Sequence, residues 1–321
     1  MKSFGWIHRT GVAVACAFTL AAPGMIPGVV QAATVPVPTP QLVYPQMPSG
    51  FNPMTATSAQ LAHYGLPPRP PASNAAVLAS WTNAMKHAKQ EVASVAVQGV
   101  PMGGYNGNNY AGYYSSQVNN GNIPYEQVAG NWTVPTVPSD GSTNEVGSWV
   151  GIGGILSGGK DELQQAGVIS IASSPPSYRF FWENYSSDGS SPVLQGPTVT
   201  GGDTVYVDVY YDPSTSDTTY YMENLTTDQY YSTPAEYTSN WSGNSNDSSA
   251  DFEFEMPVTE TSLPSYPTVP FYGCDEYQGS TLTTVTAANS TETTITAGGA
   301  SAYPSALGTE TNGFQEIFSN S

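Results

Sequence analysis

Short runs in which apolar and polar residues alternate follow one another from Tyr105 to the end of the chain. In the run Thr204–Tyr211, for example, valine recurs at every second position, so one face of an extended strand would be apolar. Turn signals such as Asp212-Pro213 and Gly201-Gly202 separate the runs, and no long amphipathic helix pattern follows Tyr105. The pattern predicts an all-β domain of about 220 residues, built as an antiparallel sandwich or barrel.

The run Ala250–Pro257 is the most informative of these predicted strands. It carries three acids on the face opposite its phenylalanines: Asp251, Glu253 and Glu255. Neighbouring acids would lie about 6–7 Å apart, because alternate strand residues repeat at twice the rise. Like-charge repulsion should therefore raise the pKa of at least one of them. A solvated strand face is the alternative, but adjacent acids cost stability, which favours a functional groove.

The distribution of charge excludes several kinds of catalytic site. Beyond Pro101 the chain has no histidine and only two basic residues, Lys160 and Arg179, against 24 acids, which gives this part a formal charge of −22. A Ser-His-Asp triad, a Cys-His pair and a histidine-ligated zinc site cannot be built there. Charged residues are only 10% of the whole chain, too few for a halophilic surface. Adaptation to acid, where the carboxylates are protonated, is the favoured interpretation.

The first 32 residues have the features of a secretory signal peptide. Lys2 and Arg9 precede the apolar run Gly11–Val30, and Val30-Gln31-Ala32 resembles a cleavage site. Proline and glycine interrupt the apolar run, which disfavours a membrane anchor. The sequence therefore predicts an exported, extracellular protein.

Residues 33–100 are predicted to form a propeptide that inhibits the domain at 101–321. Proline-rich sequence from Thr34 to about Pro71 favours an extended, polyproline-like stretch, and a helix is predicted near 74–95 with Ser73 as its N-cap. The apolar stripe of this helix recurs at steps of three and four residues: Leu78, Trp81, Met85, Ala88 and Val92. The segment is net positive and the following domain is negative. Ion pairs between them would hold at neutral pH and weaken in acid.

Several short motifs, in their order along residues 105–260, resemble the glutamic peptidases called eqolisins. These motifs are Asn109-Tyr110-Ala111-Gly112, Trp149-Val150-Gly151-Ile152-Gly153, Leu163-Gln164-Gln165-Ala166-Gly167, Phe181-Trp182-Glu183, Glu223-Asn224-Leu225-Thr226-Thr227 and Ala250-Asp251-Phe252-Glu253-Phe254-Glu255. The resemblance implies a lectin-like β-sandwich of two large antiparallel sheets with the active site on the concave sheet. It also implies peptide-bond hydrolysis by one glutamine and one glutamate, with no cofactor or metal.

The resemblance implies that Gln165 and Glu255 are the catalytic dyad. The residues expected to contact substrate are Trp149, Phe181, Glu183, Glu253 and Asp251. A carboxylate can act as general base on water and then as general acid. A neutral amide can donate to the oxyanion without titrating, so it works in acid. Gln164 competes with Gln165, but alternation should direct its side chain to the other face.

Two positions depart from the pattern of that family, and other functions stay open. Gly153 stands where many members have aspartate, and Phe181 stands where tryptophan is common. A glycoside hydrolase could use paired carboxylates such as Glu253 and Glu255, although these share a strand. A non-catalytic lectin would use the many Tyr and Trp residues. A pepsin-like peptidase is disfavoured, because the chain has no Asp-Thr-Gly or Asp-Ser-Gly sequence, and activity should be insensitive to pepstatin.

The expected partners are protein or peptide substrates and the propeptide of the chain itself. A nucleic-acid partner is disfavoured because the acidic domain would repel phosphate groups. Once the signal peptide is removed, Cys274 has no second cysteine in the chain, so no intramolecular disulfide is expected. A monomer that does not bind membranes is the expected form.

Overall fold

The computed structural model describes residues 44–90, 96–99, 106–116, 125–155, 163–185, 192–233, 236–237, 249–278, 281–307 and 313–320. The predicted signal peptide, Val92 of the predicted apolar stripe and Lys160 lie outside these residues. Two helices are described, α1 (Ser58–His63) and α2 (Ala75–Met85). No described helix has the length and apolar character needed to cross a bilayer.

Strands make up most of the rest of the described chain. They are β1 (Lys89–Gln90), β2 (Val97–Gln98), β3 (Tyr110–Ser116), β4 (Tyr125–Thr133), β5 (Glu145–Gly153), β6 (Leu163–Ile171), β7 (Ser177–Tyr185), β8 (Val193–Leu194), β9 (Thr204–Asp212), β10 (Asp217–Asn224), β11 (Gln229–Ser232), β12 (Glu236–Tyr237), β13 (Ser249–Glu255), β14 (Val269–Gln278), β15 (Thr281–Thr284), β16 (Ser290–Thr293), β17 (Ile295–Ala297), β18 (Ala300–Pro304) and β19 (Phe314–Asn320). The predicted all-β fold is confirmed.

The strands form two sheets, which confirms the predicted β-sandwich. Within the described residues one sheet has 11 strands along the path β1-β11-β10-β9-β4-β14-β19-β18-β17, with β12 and β15 paired beside it. The other has eight strands in the order β16-β3-β13-β5-β6-β7-β8-β2. We call these the eleven-stranded sheet and the eight-stranded sheet.

An apolar core between the two sheets determines which residues of each strand point outward. The alternating valines of β9 and the phenylalanines of β13 lie in this core, as their spacing predicts. Aromatic rings fill its centre: Phe271 stacks on Trp132 at 4.9 Å and on Phe314 at 5.0 Å between ring centroids. Because strand side chains alternate, packing these apolar residues inward places their neighbours on the outer faces.

The N-terminal segment, residues 44–90, packs against the outer face of the eleven-stranded sheet. Trp81 and Leu61 belong to one buried cluster with Tyr206, Tyr221 and Tyr230 of that sheet. After helix α2, strand β1 pairs in parallel with β11, and β2 pairs with β8 at the edge of the eight-stranded sheet. Residues 44–90 therefore contribute strand β1 to the eleven-stranded sheet, and β2, which follows them, belongs to the eight-stranded sheet.

The structure corrects three local predictions for this segment. Helix α2 starts one residue later than predicted, because the side chain of Asn74, not Ser73, accepts the hydrogen bond from the amide of Val77. It ends at Met85, since the following residues pair with β11 instead of continuing the helix. The proline-rich stretch also contains helix α1. Its start is fixed by a capping box in which Thr57 and Gln60 exchange hydrogen bonds, a signal readable from the sequence.

Phe271→Ala should lower the free energy of unfolding by about 3–5 kcal/mol, because it removes a buried ring from the middle of an aromatic stack. Chemical denaturation at acid pH measures this change. Tyr303→Ala is the matched control, since Tyr303 is 37% exposed on strand β18 and its loss should cost far less. Equal effects of the two substitutions would contradict the assigned core.

Candidate active site

The outer face of the eight-stranded sheet carries a concentration of buried polar side chains on strands β13, β6 and β7, with β5 lying between β13 and β6. Phe252 and Phe254 of β13 face the core, so Asp251, Glu253 and Glu255 face outward, as the sequence predicts. All three acids are nevertheless fully buried. The alternative of a solvated strand face is therefore wrong.

Gln165 lies in one row across the four strands with two acids. Asp251 on β13 pairs with Gly151 on β5, Gly151 pairs with Gln165 on β6, and Gln165 pairs with Glu183 on β7. We call these four residues the Gln165 row. The amide nitrogen Nε2 of Gln165 donates a hydrogen bond of 2.8 Å to Oε2 of Glu183. Glu183 therefore fixes the orientation of the amide.

Gly151 lies in the middle of the Gln165 row, so no side chain stands between Asp251 and Gln165. A Cβ atom at Gly151 would lie 2.9 Å from Cδ1 of Leu163 and 3.0 Å from Cζ3 of Trp149. Any other residue there would press against these neighbours. Asp251 and Gln165 are two strand spacings apart, about 10 Å between backbones, and only a glycine separates them.

A second row lies beside the first, and we call it the Trp149 row. It contains Glu253, Trp149, Gly167 and Phe181 in register. Trp149 and Phe181 belong to an apolar cluster with Tyr110, whose ring meets that of Trp149 edge-on at 5.1 Å. Four of the predicted substrate-contacting residues, Trp149, Phe181, Glu183 and Glu253, thus occupy these two adjacent rows, and Asp251 is the fifth.

Glu255 occupies a third row, away from Gln165. It pairs with Gly147 and Tyr110, and Gly147 pairs in turn with Ile169. Since Glu255 is four residues beyond Asp251, it lies about 13 Å further along the strand from the Gln165 row. Its Oε2 accepts a hydrogen bond of 3.0 Å from the indole nitrogen of Trp149. The register brings Asp251 and Glu183, and not Glu255, into line with Gln165.

Two hydroxyl groups that the sequence did not single out hold the outward acids. The hydroxyl of Thr293 donates to Oε2 of Glu253 at 2.6 Å. The hydroxyl oxygen of Ser249 lies 3.2 Å from Oδ2 of Asp251 and 2.9 Å from the carbonyl oxygen of Gly153. Thr293 comes from β16, far along the chain, and only strand pairing reveals its position. Ser249 is two residues from Asp251, so alternation alone predicts that it shares that face.

Several oxygen atoms of the site have the capacity to bind a further donor. The second carboxyl oxygens of Asp251, Glu253 and Glu255 are buried and accept no hydrogen bond from described protein groups. The same holds for Oε1 of Gln165. These are acceptors for a water molecule or a substrate amide, because a buried acceptor without a partner is costly to leave unsatisfied.

Burial raises the pKa of all three outward acids well above the ordinary values. Desolvation is the largest cause in each case. Repulsion from Glu253 adds to the effect at Asp251, and repulsion from Glu183 adds to it at Glu255. The prediction of at least one raised pKa on this strand is confirmed in direction.

The two glutamines of β6 have opposite environments. Gln164 points between the sheets, where its amide oxygen accepts a hydrogen bond from the hydroxyl of Thr218. Gln165 points to the outer face. The structure thus confirms the predicted alternation, and Gln164 is a packed, hydrogen-bonded amide of the interior.

Gly153 stands where many members of the resembled family have aspartate, and its backbone conformation explains the glycine. Its φ of +91° lies in the region that L side chains rarely adopt, so an aspartate there would be strained. Its carbonyl oxygen lies 2.9 Å from the hydroxyl oxygen of Ser249, which is next to Asp251 on the same face. Glycine at 153 therefore fits the local backbone.

Comparison with known proteins agrees with this architecture. The model of the Peptidase A4 family matches residues 108–311. The chain belongs to the Peptidase A4 family, the eqolisins. The match covers well over half of the chain and spans every strand of the site. It makes the chain a glutamic peptidase, a hydrolase, in preference to the glycoside hydrolase, lectin and pepsin-like alternatives.

Solved structures of eqolisins share the fold. Scytalido-glutamic peptidase with a transition state analog inhibitor is 20% identical, with a TM-score of 0.52, over 66% of this chain and 98% of that one. The same enzyme with a peptide-based analog is 18% identical, with a TM-score of 0.50 and the same coverage. SCP-B, an eqolisin in a complex with a tripeptide, gives a TM-score of 0.49 at 18% identity over the same shares of the two chains. A search of the curated proteins finds no match.

The protein should be more stable in acid than at neutral pH. Burial raises the pKa of Asp208 and of Glu276 to about 7, whereas unfolded acids titrate near pH 4. The folded state therefore holds protons that the unfolded state loses between about pH 4 and pH 7. The stabilisation is fully present below this window and is lost as the pH rises through it, on the order of 4 kcal/mol for each group.

Thermal melts followed by circular dichroism from pH 3 to pH 8 measure this dependence. The melting temperature should fall from acid towards neutral pH, and Asp208→Asn should make the fall less steep. A melting temperature that peaks near neutrality would contradict the assignment of these acids as buried and neutral.

Proposed function

We propose that the protein is a secreted endopeptidase that acts in acid, with Gln165 and Asp251 as its catalytic pair. The alignment of these two residues across Gly151 carries the proposal. Asp251 replaces Glu255, the glutamate predicted from the sequence, because Asp251 is the strand β13 acid in register with the glutamine. The acid of the pair is then an aspartate in a chain that belongs to a glutamic peptidase family.

The proposed reaction uses water as the nucleophile. Ionised Asp251 accepts a proton from water as the water oxygen attacks the scissile carbonyl carbon. The carbonyl oxygen becomes an oxyanion, to which the free N–H of the Gln165 amide donates, while the other N–H remains on Glu183. Protonated Asp251 then gives its proton to the leaving amine, the C–N bond breaks, and the carboxylate is restored.

The neighbours of the pair explain how it is kept in place. Glu183 accepts from the amide of Gln165, so the amide cannot rotate freely. Glu255 and Trp149 are held together by their hydrogen bond, one to two rows away. We assign Trp149, Phe181, Glu253 and Glu255 to substrate binding, because their rows lie beside the row of the reacting groups on the same face of the sheet.

Activity in acid follows from two opposing dependences. Catalysis requires ionised Asp251, whose pKa burial raises, so activity should rise as the pH increases from strongly acidic values. Stability decreases towards neutrality, because other buried acids must ionise. The two together give a bell-shaped profile with its maximum in mild acid. Gln165 does not titrate and works throughout this range.

Secretion and insensitivity to pepstatin complete the proposal. The predicted signal peptide at residues 1–32 supports export. The absence of Asp-Thr-Gly and Asp-Ser-Gly sequences supports a site that differs from that of pepsin-like enzymes. Digestion of casein in acid with pepstatin present should proceed at the same rate as without it.

Gln165→Ala and Asp251→Asn should each reduce kcat/KM for a peptide substrate by about 100-fold or more, because each removes a group that acts on the transition state. Glu255→Gln should reduce it less than tenfold, mainly through KM. Glu292→Gln, a change of an exposed acid on strand β16, is the matched control and should leave kcat/KM unchanged. Quenched-fluorescence hydrolysis across the acid range measures all four variants.

The opposite pattern would transfer the catalytic role. If Glu255→Gln abolishes hydrolysis while Asp251→Asn retains it, Glu255 is the catalytic acid as first predicted from the sequence. Circular dichroism of each variant at the assay pH ensures that a loss of activity is not a loss of fold.

A further inference from the structure

The N-terminal segment and the candidate active site lie on opposite sides of the sandwich. Leu61, Leu66 and Trp81 pack on Tyr206 and Tyr221, which face outward from the eleven-stranded sheet. The Gln165 row faces outward from the eight-stranded sheet. The aromatic core lies between these two faces. Residues 44–90 therefore pack on the face opposite the one that carries the catalytic pair.

The segment is bound as a structural layer. Strand β1 extends the eleven-stranded sheet, with the amide of Lys89 donating to the carbonyl of Asp228 at 2.7 Å. Asn131 of β4 donates to the hydroxyl of Ser80 in helix α2 at 2.7 Å. Trp81 is 1% exposed, and its indole nitrogen donates to the carbonyl of Pro67. Removing the segment would expose the aromatic outer face beneath it.

Ion pairing contributes little to this attachment. In the part of the chain that the structure describes, one ion pair connects the segment to the domain, Lys89 with Asp228 at 3.8 Å. The side chain of Lys89 is 73% exposed, and exposed pairs of this kind contribute little to stability. The net charges of the two parts predict ion pairs that weaken in acid. The described contacts include almost no such pairing, so protonating the acids should not release the segment.

Two acids of the sheet are buried beneath or beside the segment. Asp208 lines a cavity of about 340 Å³ together with Tyr44 and Leu66 of the segment. It accepts hydrogen bonds from Gln127 at 2.7 Å and from Tyr206 at 3.0 Å. Glu223 accepts from Tyr221 at 2.8 Å and pairs across the sheet with Tyr206 and Tyr230, which the segment packs on. Both acids are 1% exposed.

The groups around these acids offer no compensating positive charge among the described residues. Asp208 faces the tyrosines of β9 and Gln127 of β4, Tyr277 and Asp275 of β14, Tyr44 of the segment, and Asp212 and Asp217 at the same cavity. Glu223 faces Tyr221, Tyr230 and Asp228, and Asp228 is the partner of Lys89. Both acids are therefore most favourably buried in the protonated form.

We propose that residues 44–90 form a retained cover of the eleven-stranded sheet that stays bound in acid after the chain is cut and dissociates at neutral pH. Its partner surface is the outer face built around Tyr206, Tyr221 and Tyr230. The sign follows from the buried acids: the bound form holds protons, so binding is strongest in acid. Affinity falls by up to tenfold per pH unit for each acid as the pH rises above about 4.

The association can be measured without any hydrolysis. A recognition sequence for a specific protease is inserted between Val92 and Ala93 of the full chain, so that β2 stays with the domain. A Gln165→Ala background prevents self-digestion. After cleavage, the two pieces should co-elute in size-exclusion chromatography at pH 4 and separate at pH 7.5. Separation at pH 4 with retention at pH 7.5 would overturn the proposal in favour of ion-pair release, and identical behaviour at both pH values would overturn its pH dependence.

Variants test the stated cause. Asp208→Asn with Glu223→Gln should keep the pieces together at pH 7.5, because neither side chain can ionise. Lys89→Ala should behave like the parent, since its ion pair is exposed. Trp81→Ala should weaken association at pH 4, because it removes the largest buried side chain of the segment. Loss of association in Lys89→Ala, with none in Trp81→Ala, would overturn the apolar attachment.

Discussion

The packing of the two sheets through their aromatic core is the constraint on which the rest of the structure depends. Phe252 and Phe254 face Phe271 and the other core rings, so the three acids that alternate with them lie on the outer face. The same alternation sends Gln164 inward and Gln165 outward. A shift of one residue in the pairing of any of these strands would exchange core and site.

The burial of acids without neighbouring cations gives the protein its dependence on pH. Asp208 and Glu276 are buried, and their pKa values are raised mainly by desolvation. The folded domain is more stable when these carboxyl groups are neutral than when they are ionised.

The N-terminal segment shows how net charge can mislead. Its positive charge and the negative charge of the domain predict attachment by ion pairs. The described contacts are instead mostly apolar, because tyrosines on the sheet and Trp81, Leu61 and Leu66 on the segment bury one another. In the proposed release, desolvated acids beside this contact reverse the expected effect of acid, since ionising a buried group costs more than an exposed ion pair returns.

The sequence by itself determined the class of fold, the facing of each long strand and the types of residue at the site, because alternation and turn chemistry are local properties. It also determined the family, through ordered motifs around Trp149, Gln165 and Glu183. Only the tertiary structure decided which acid faces Gln165, since pairing β13 to β5 and β5 to β6 sets the register between distant segments. It likewise decided that Thr293 donates a hydrogen bond to Glu253. It also decided where helix α2 begins, after Asn74, and where it ends, before the residues that pair with β11. Such choices depend on partners far along the chain, which no local pattern records.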